Sequence, residues 1–192
     1  WQEGWGEFTA EDVKFTFDKI MDPKTNTVRR SDYVINGKPI QFIVLDPHTI
    51  QAKLPTPYAP FLTYACMGIL PKHLLQGVDV NVASFNRQPI GTGPYVFKKW
   101  LVGQYVEVEA NTHYYGTAPK VKRIVMKIIP DANTALVAMQ KGEIDDNSIS
   151  AKDYEKAKEY SNVNLYRYPD LLYLYFGFNL KHPYFKDLKV RQ

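Results

Sequence analysis

Apolar residues first recur at helical spacing near the start of the chain. Val13, Phe17, Ile20 and Met21 share one face of a helix predicted over residues 10–21. Thr9 stands at its N-cap, Asp12 at the third helical position can reach back to it, and Asp22-Pro23 ends it. Residues 24–38 are polar and turn-rich, and Asn36-Gly37 marks a tight turn. Two strands follow, over 40–45 and 49–54, joined by Asp46-Pro47-His48. In the second, Ile50, Ala52 and Leu54 alternate with Thr49, Gln51 and Lys53, so one face is buried and one wet. Pro55, Pro57 and Pro60 change the direction of the chain, and short helices are expected over 61–66 and 71–75.

From about Ile90 the pattern shifts to longer strands. Residues 95–100 and 104–110 read as a hairpin around Val102-Gly103, with a third strand over 123–129 after a loop at 111–116. Asp131 caps a helix over 132–141, and Gly142 sits where a left-handed C-terminal cap belongs. Glu143-Ile144-Asp145 reads as a very short strand, and Ser150 with Asp153 opens a helix running to about Tyr160. Residues 171–179 are apolar on both faces, as a central strand is. The fold class is mixed α/β (α+β), without repeats or low-complexity tracts.

Composition narrows the function classes. The chain has 192 residues, 45% hydrophobic and 23% charged, which is enough for a core in one domain or two small ones. Its formal charge of +4 is spread along the chain, so no basic stripe for nucleic acid emerges. The longest apolar run, around 58–70, is broken by Pro60, Thr63 and Gly68 and is too short to span a membrane. A single cysteine, Cys66, excludes an internal disulfide and a multi-cysteine zinc site; amid Tyr64, Ala65 and Met67 it is expected to be a buried structural thiol. The chain begins at Trp1 and stops in what looks like the first turn of a helix, and is expected to be a piece of a longer protein.

Catalytic patterns are sparse. His48, His73, His113 and His182 lack metal-ligand spacing, and no nucleophile elbow occurs. Glu107 and Glu109 share one strand face and are expected to be solvated rather than an acid/base pair. Gly91-Thr92-Gly93-Pro94 leads into a strand instead of a helix, so its glycines serve a sharp turn and not a phosphate loop. No cofactor, metal or catalytic residue is expected. What remains is a set of late aromatics: Tyr166, Tyr168, Tyr173, Tyr175, Phe176 and Phe178. They either fill a sheet core or, with Tyr173 and Tyr175 on one strand face, line a ligand groove.

Several segments share one resemblance. Trp1-Gln2-Glu3-Gly4 and the stretch 8–17 (Phe-Thr-Ala-Glu-Asp-Val-Lys-Phe-Thr-Phe) resemble the opening of the smaller lobe of bacterial extracytoplasmic solute-binding proteins of family 5. These are the peptide- and nickel-binding receptors of ATP-binding-cassette importers. Pro89-Ile90-Gly91-Thr92-Gly93-Pro94-Tyr95 is similar to the family's internal motif, and Asn111, Tyr114-Tyr115 and Gly142-Glu143-Ile144-Asp145 follow in family order. Gly177-Phe178-Asn179, Pro183-Tyr184-Phe185-Lys186-Asp187 and Val190-Arg191-Gln192 resemble the crossing into the second lobe.

The resemblance implies a partial periplasmic-binding-protein-like type II fold. Residues 1–90 would be a small subdomain, 91–179 the main part of lobe one, and 180–192 the start of the passage into a second lobe. It implies binding without catalysis: an extracytoplasmic monomer, periplasmic or lipid-anchored, that captures oligopeptides or dipeptides for membrane permease subunits. Nickel or another small solute is the alternative ligand; a hydrolase, a signalling receptor or a peptide-holding chaperone are further readings. By the same resemblance Asn147, Ser148 and Ile149 fall where peptide-binding relatives contact ligand. Tyr175 falls at a cleft tyrosine; Tyr173 and Tyr33 are weaker candidates. The acidic residue that captures a peptide ammonium in such relatives belongs to the second lobe.

Overall fold

A computed structural model describes residues 1–2, 4–169 and 174–191. The chain divides into two compact units, Trp1–Ile128 and Ile129–Gln192.

The first unit opens with α1 (Ala10–Met21), whose start is fixed by the Thr9 N–H donating to Asp12 Oδ2 at 2.9 Å. After a 3-10 turn at Arg29–Tyr33 come β1 (Val34–Ile35) and β2 (Lys38–Pro39), an antiparallel pair. Asn36 and Gly37 both take positive φ, 51° and 75°, as a two-residue hairpin turn of matching twist requires. β3 (Gln41–Asp46) and β4 (Thr49–Lys53) form a second antiparallel hairpin, with Leu45 bulged outward. Their alternation presents Phe42, Val44, Ile50 and Ala52 to one side. The core lies between that face and α1. There the Phe17 and Phe42 rings stack with centroids 3.7 Å apart, and Tyr33 meets Phe17 edge-on at 5.0 Å.

Two short helices follow: α2 (Phe61–Ala65) packs Phe61 and Tyr64 against this core, and α3 (Lys72–Leu75) lies against α1. The sequence gives no hint that Asp12 is buried, yet the residue is only 3% exposed. Three N–H donors surround it: Thr9 and the Trp1 indole on Oδ2, and Lys72 on Oδ1. One turn on, Thr16 Oγ1 accepts the Leu70 N–H at 2.8 Å and donates to the Asp12 carbonyl. α1 is thereby stitched to the entry of α3.

Cys66 is exposed, against expectation. It follows the end of α2, whose inward positions are taken by Phe61 and Tyr64, and its Sγ rests on the Leu62 carbonyl at 3.3 Å.

The rest of the first unit is an antiparallel sheet in the order β5 (Tyr95–Leu101), β6 (Tyr105–Ala110), β7 (Arg123–Lys127). One face carries Phe97, Trp100, Val106, Val108, Ile124 and Met126 by register. The loop before β5 is pinned from two sides. The Gln2 N–H donates to Gly91 O at 2.9 Å, and buried Asn111 donates through Nδ2 to Gly93 O at 3.1 Å. Glu107 and Glu109 do not pair with each other: Arg123 lies 2.7 Å from Glu107, and Lys98 lies 3.0 Å from Glu109. Glu109 is solvated as expected, whereas the Glu107 side chain is only 14% exposed beneath its partner.

The second unit begins with α4 (Ala132–Gln140). The Asp131 carboxylate accepts both the N–H and the hydroxyl of Thr134 at 2.7 Å, which holds its pKa below the ordinary carboxylate value. Gly142, at φ 71°, ends α4. Its N–H donates to Met139 O, and the Glu143 N–H reaches back to Ala138 O. That turn uses the Glu143 backbone, so residues 143–145 form no strand. A 3-10 turn at Ala151–Asp153, closed by Ser150 Oγ on Asp153 at 2.7 Å, leads into α5 (Tyr154–Ala157). Leu136, Ala157 and Tyr160 form the core, with Ile149, Val163 and Leu165 packed against it.

The expected strand over 171–179 is corrected in its described part. Residues 174–179 carry no strand, and Leu174 and Phe176 are almost fully exposed; residues 171–173 lie outside the described residues. An extended apolar run becomes a central strand only between flanking strands, and the described residues of this unit contain none. Two single-turn helices, α6 (Pro183–Lys186) and α7 (Leu188–Arg191), follow.

Candidate ligand-binding segment

The turn after α4 sets up the segment that follows. Chain direction is fixed at Gly142-Glu143 by the two bonds onto α4, and again at Ser150 by its bond to Asp153. Between them runs irregular backbone. Among the described residues, no hydrogen bond is made by Asp146, Asn147, Ser148 or Ile149. Their backbone N–H and C=O groups are therefore open to an extended partner. Asn147 is half-buried, Ser148 exposed and Ile149 half-buried against the Leu136, Ala157 and Tyr160 cluster. Two small polar side chains thus stand beside backbone without hydrogen bonds, while Ile149 packs on the cluster.

The remaining candidates lie elsewhere in the chain. Tyr175 lies in irregular chain, 79% exposed. Tyr173 lies outside the described residues. Tyr33 is a correction: it is 0% exposed, and its hydroxyl donates to Tyr64 O at 2.7 Å within the first unit's core. A ring closed on every side offers no face to a ligand.

Sequence reasoning missed the support beneath the segment, Leu136, Ala157 and Tyr160. The three-residue step from Ala157 to Tyr160 was the available signal, since it puts both on one side of a helical turn. It also passed over a groove of about 1080 Å³ in the first unit, where the Arg87 guanidinium lies 4.4 Å from the centre of the Trp100 ring. That groove contains none of the expected contact residues. Among the described residues no three His, Cys, Asp or Glu side chains cluster as a metal site, and no helix is long and apolar enough to cross a membrane.

Comparison with known proteins decides the relationship. Residues 1–192 match the bacterial extracellular solute-binding proteins, family 5. The chain belongs to this family. It is similar to the oligopeptide-binding protein AppA of Bacillus subtilis, 36% identical over 192 residues, which cover 97% of this chain and 35% of AppA. The solved structure of B. subtilis AppA in complex with a nonapeptide superposes with a TM-score of 0.86 at 33% identity, covering 97% of this chain and 38% of that one. NikZ from Campylobacter jejuni in complex with Ni(L-His) superposes with a TM-score of 0.76 at 35% identity, covering 96% and 37%. The chain thus spans little more than a third of the length of these family 5 relatives, as a partial periplasmic-binding-protein fold does.

Proposed function

We propose that this family 5 chain is the ligand-contacting part of a peptide receptor that serves an ATP-binding-cassette importer. The observation that carries the reading is the open backbone of residues 146–149, held between two fixed turns. An extended peptide is recognised through main-chain hydrogen bonds of the kind that added strands make, and this segment leaves such groups unpaired. Asn147 and Ser148 add short polar side chains beside it, and Tyr175 supplies an exposed aromatic surface. The names of relatives support the same ligand: AppA of B. subtilis is an oligopeptide-binding protein. The whole receptor acts by binding and not by catalysis, outside the cytoplasmic membrane, as a monomer that hands its ligand to permease subunits. Within it, residues 1–90 are the small subdomain, 91–179 the main part of lobe one, and 180–192 the start of the crossover.

NikZ, equally similar in sequence and bound to Ni(L-His), favours a second reading, a chelated nickel ligand. Native mass spectrometry of the whole protein, purified without refolding and sprayed before and after denaturation, separates the two. Released masses matching short peptides are expected. A single mass matching a metal chelate would overturn the peptide assignment.

A further inference from the structure

We infer that Ile149 is a positioning residue, whose side chain, seated on the Leu136, Ala157 and Tyr160 cluster, holds the backbone of Asn147 and Ser148 in place for the ligand. The inference rests on the peptide-receptor reading and assigns Ile149 a role other than ligand contact.

Three observations carry it. First, residues 146–149 make no hydrogen bond of their own among the described residues, so between the Gly142-Glu143 turn and the Ser150 turn packing is what fixes them. Second, the surface on which Ile149 sits is itself braced. Leu136 is 3% exposed and Ala157 is 2% exposed. The Asn162 side-chain amide donates to Met139 O at 3.4 Å and Gln140 O at 3.2 Å, tying the chain after α5 to the end of α4. Val163 and Leu165 pack on the same cluster. Third, the turn at Gly142-Glu143 is fixed to that same helix, α4. Residues 144–148 are therefore a strap with both ends referred to one packed body. The far end is held by the packing of Ile149 and, one residue on, by the Ser150–Asp153 turn.

Tyr160 sharpens the argument. It is 8% exposed, and its hydroxyl has no hydrogen-bond partner among the described residues. The ring thus contributes area and shape to the seat, not a polar tether. A β-branched side chain such as Ile149 has one stiff χ1, so seating it fixes its own backbone more firmly than a flexible side chain would. A group placed within a fraction of an ångström binds better than the same group left loose, because the ordering has been done before the ligand arrives.

The test uses the whole protein and a randomised nonapeptide pool, with retained peptide counted by mass spectrometry. Thermal unfolding without ligand confirms that each variant is folded, and hydrogen exchange reports on residues 146–149. Ile149→Ala is expected to reduce peptide retention about tenfold and to speed exchange across the segment. Ile149→Val is expected to recover most of both, and Tyr160→Phe to match the natural protein. Should Ile149→Ala fail to fold, Ile149→Val against Ile149→Thr, equal in shape but differing in polarity, carries the comparison. Retention by a folded Ile149→Ala equal to that of the natural protein would overturn the inference, as would a loss in Tyr160→Phe as large as that in Ile149→Ala. If the natural protein itself retains no peptide, the reading of its function has failed instead.

Discussion

Asp12 Oδ1 accepts the backbone N–H of Lys72 at 2.8 Å across 60 residues of sequence. Its other oxygen takes the Thr9 N–H and the Trp1 indole. One buried carboxylate therefore joins the first residue, the start of α1 and the start of α3.

Replacing Asp12 by Ala removes the acceptor and leaves those N–H groups inside the fold without a partner. The expected loss is about 3 kcal/mol, a fall in Tm of roughly 6–12 °C for a chain of this size. Asp12→Asn keeps one acceptor oxygen and is expected to lose less. Calorimetry of the two variants checks the order; an Ala variant melting with the natural protein would contradict it.

Arg123 provides a handle on pH. Its hydrogen bond to Glu107, followed by the attraction of Arg123, Lys99 and Lys98, holds the Glu107 pKa below its ordinary value of 4.5, against an opposing effect of partial burial. A carboxylate depressed on folding contributes stability above its unfolded pKa and loses it as pH falls through the folded value. The gap between the natural protein and Arg123→Met is thus expected to be constant from about pH 7 to about pH 5 and to close below that. Because Arg123 is itself 60% exposed, added salt is expected to shrink the same gap. Urea titrations across that range measure both effects, and a gap unchanged down to about pH 3 would contradict the pairing.

Tyr33 belongs to the core and not to the ligand. Tyr33→Phe leaves the ring edge-on to Phe17 and Phe42 but strands the Tyr64 carbonyl. It is expected to lower stability by about 1–2 kcal/mol while peptide retention well below Tm stays unchanged. A loss of retention without a loss of stability would return Tyr33 to the binding surface.

Elements set by local signals were legible before any coordinates. The Thr9 and Asp131 caps, the 3.6-residue period of α1 and the alternation in β4 each name their structure within a few neighbouring residues. Burial set by distant partners was not legible. Tyr33 sits in a polar, turn-rich stretch, and only the approach of α1, of the β3–β4 hairpin and of residues 58–67 encloses it. Cys66 sits in an apolar stretch, and the orientation of α2 leaves it outside. Asp12 reads as a surface cap residue until Lys72 arrives. For the candidate segment, the family resemblance pointed to residues 147–149. It could not show that Ile149 packs on the Leu136, Ala157 and Tyr160 cluster, because that depends on what α4 and α5 present beneath it.

All three tryptophans, Trp1, Trp5 and Trp100, fall in the unit Trp1–Ile128. Indole emission is therefore the private signal of that unit, while circular dichroism sees both. Trp1 adds a local sensitivity, since its indole N–H is bonded to the Asp12 carboxylate. Followed in parallel, the two signals weigh the units separately: coincident transitions mark one cooperative body, and separated ones mark two. The distribution of a single residue type has equipped the chain with its own optical probe of how far its two units fold together.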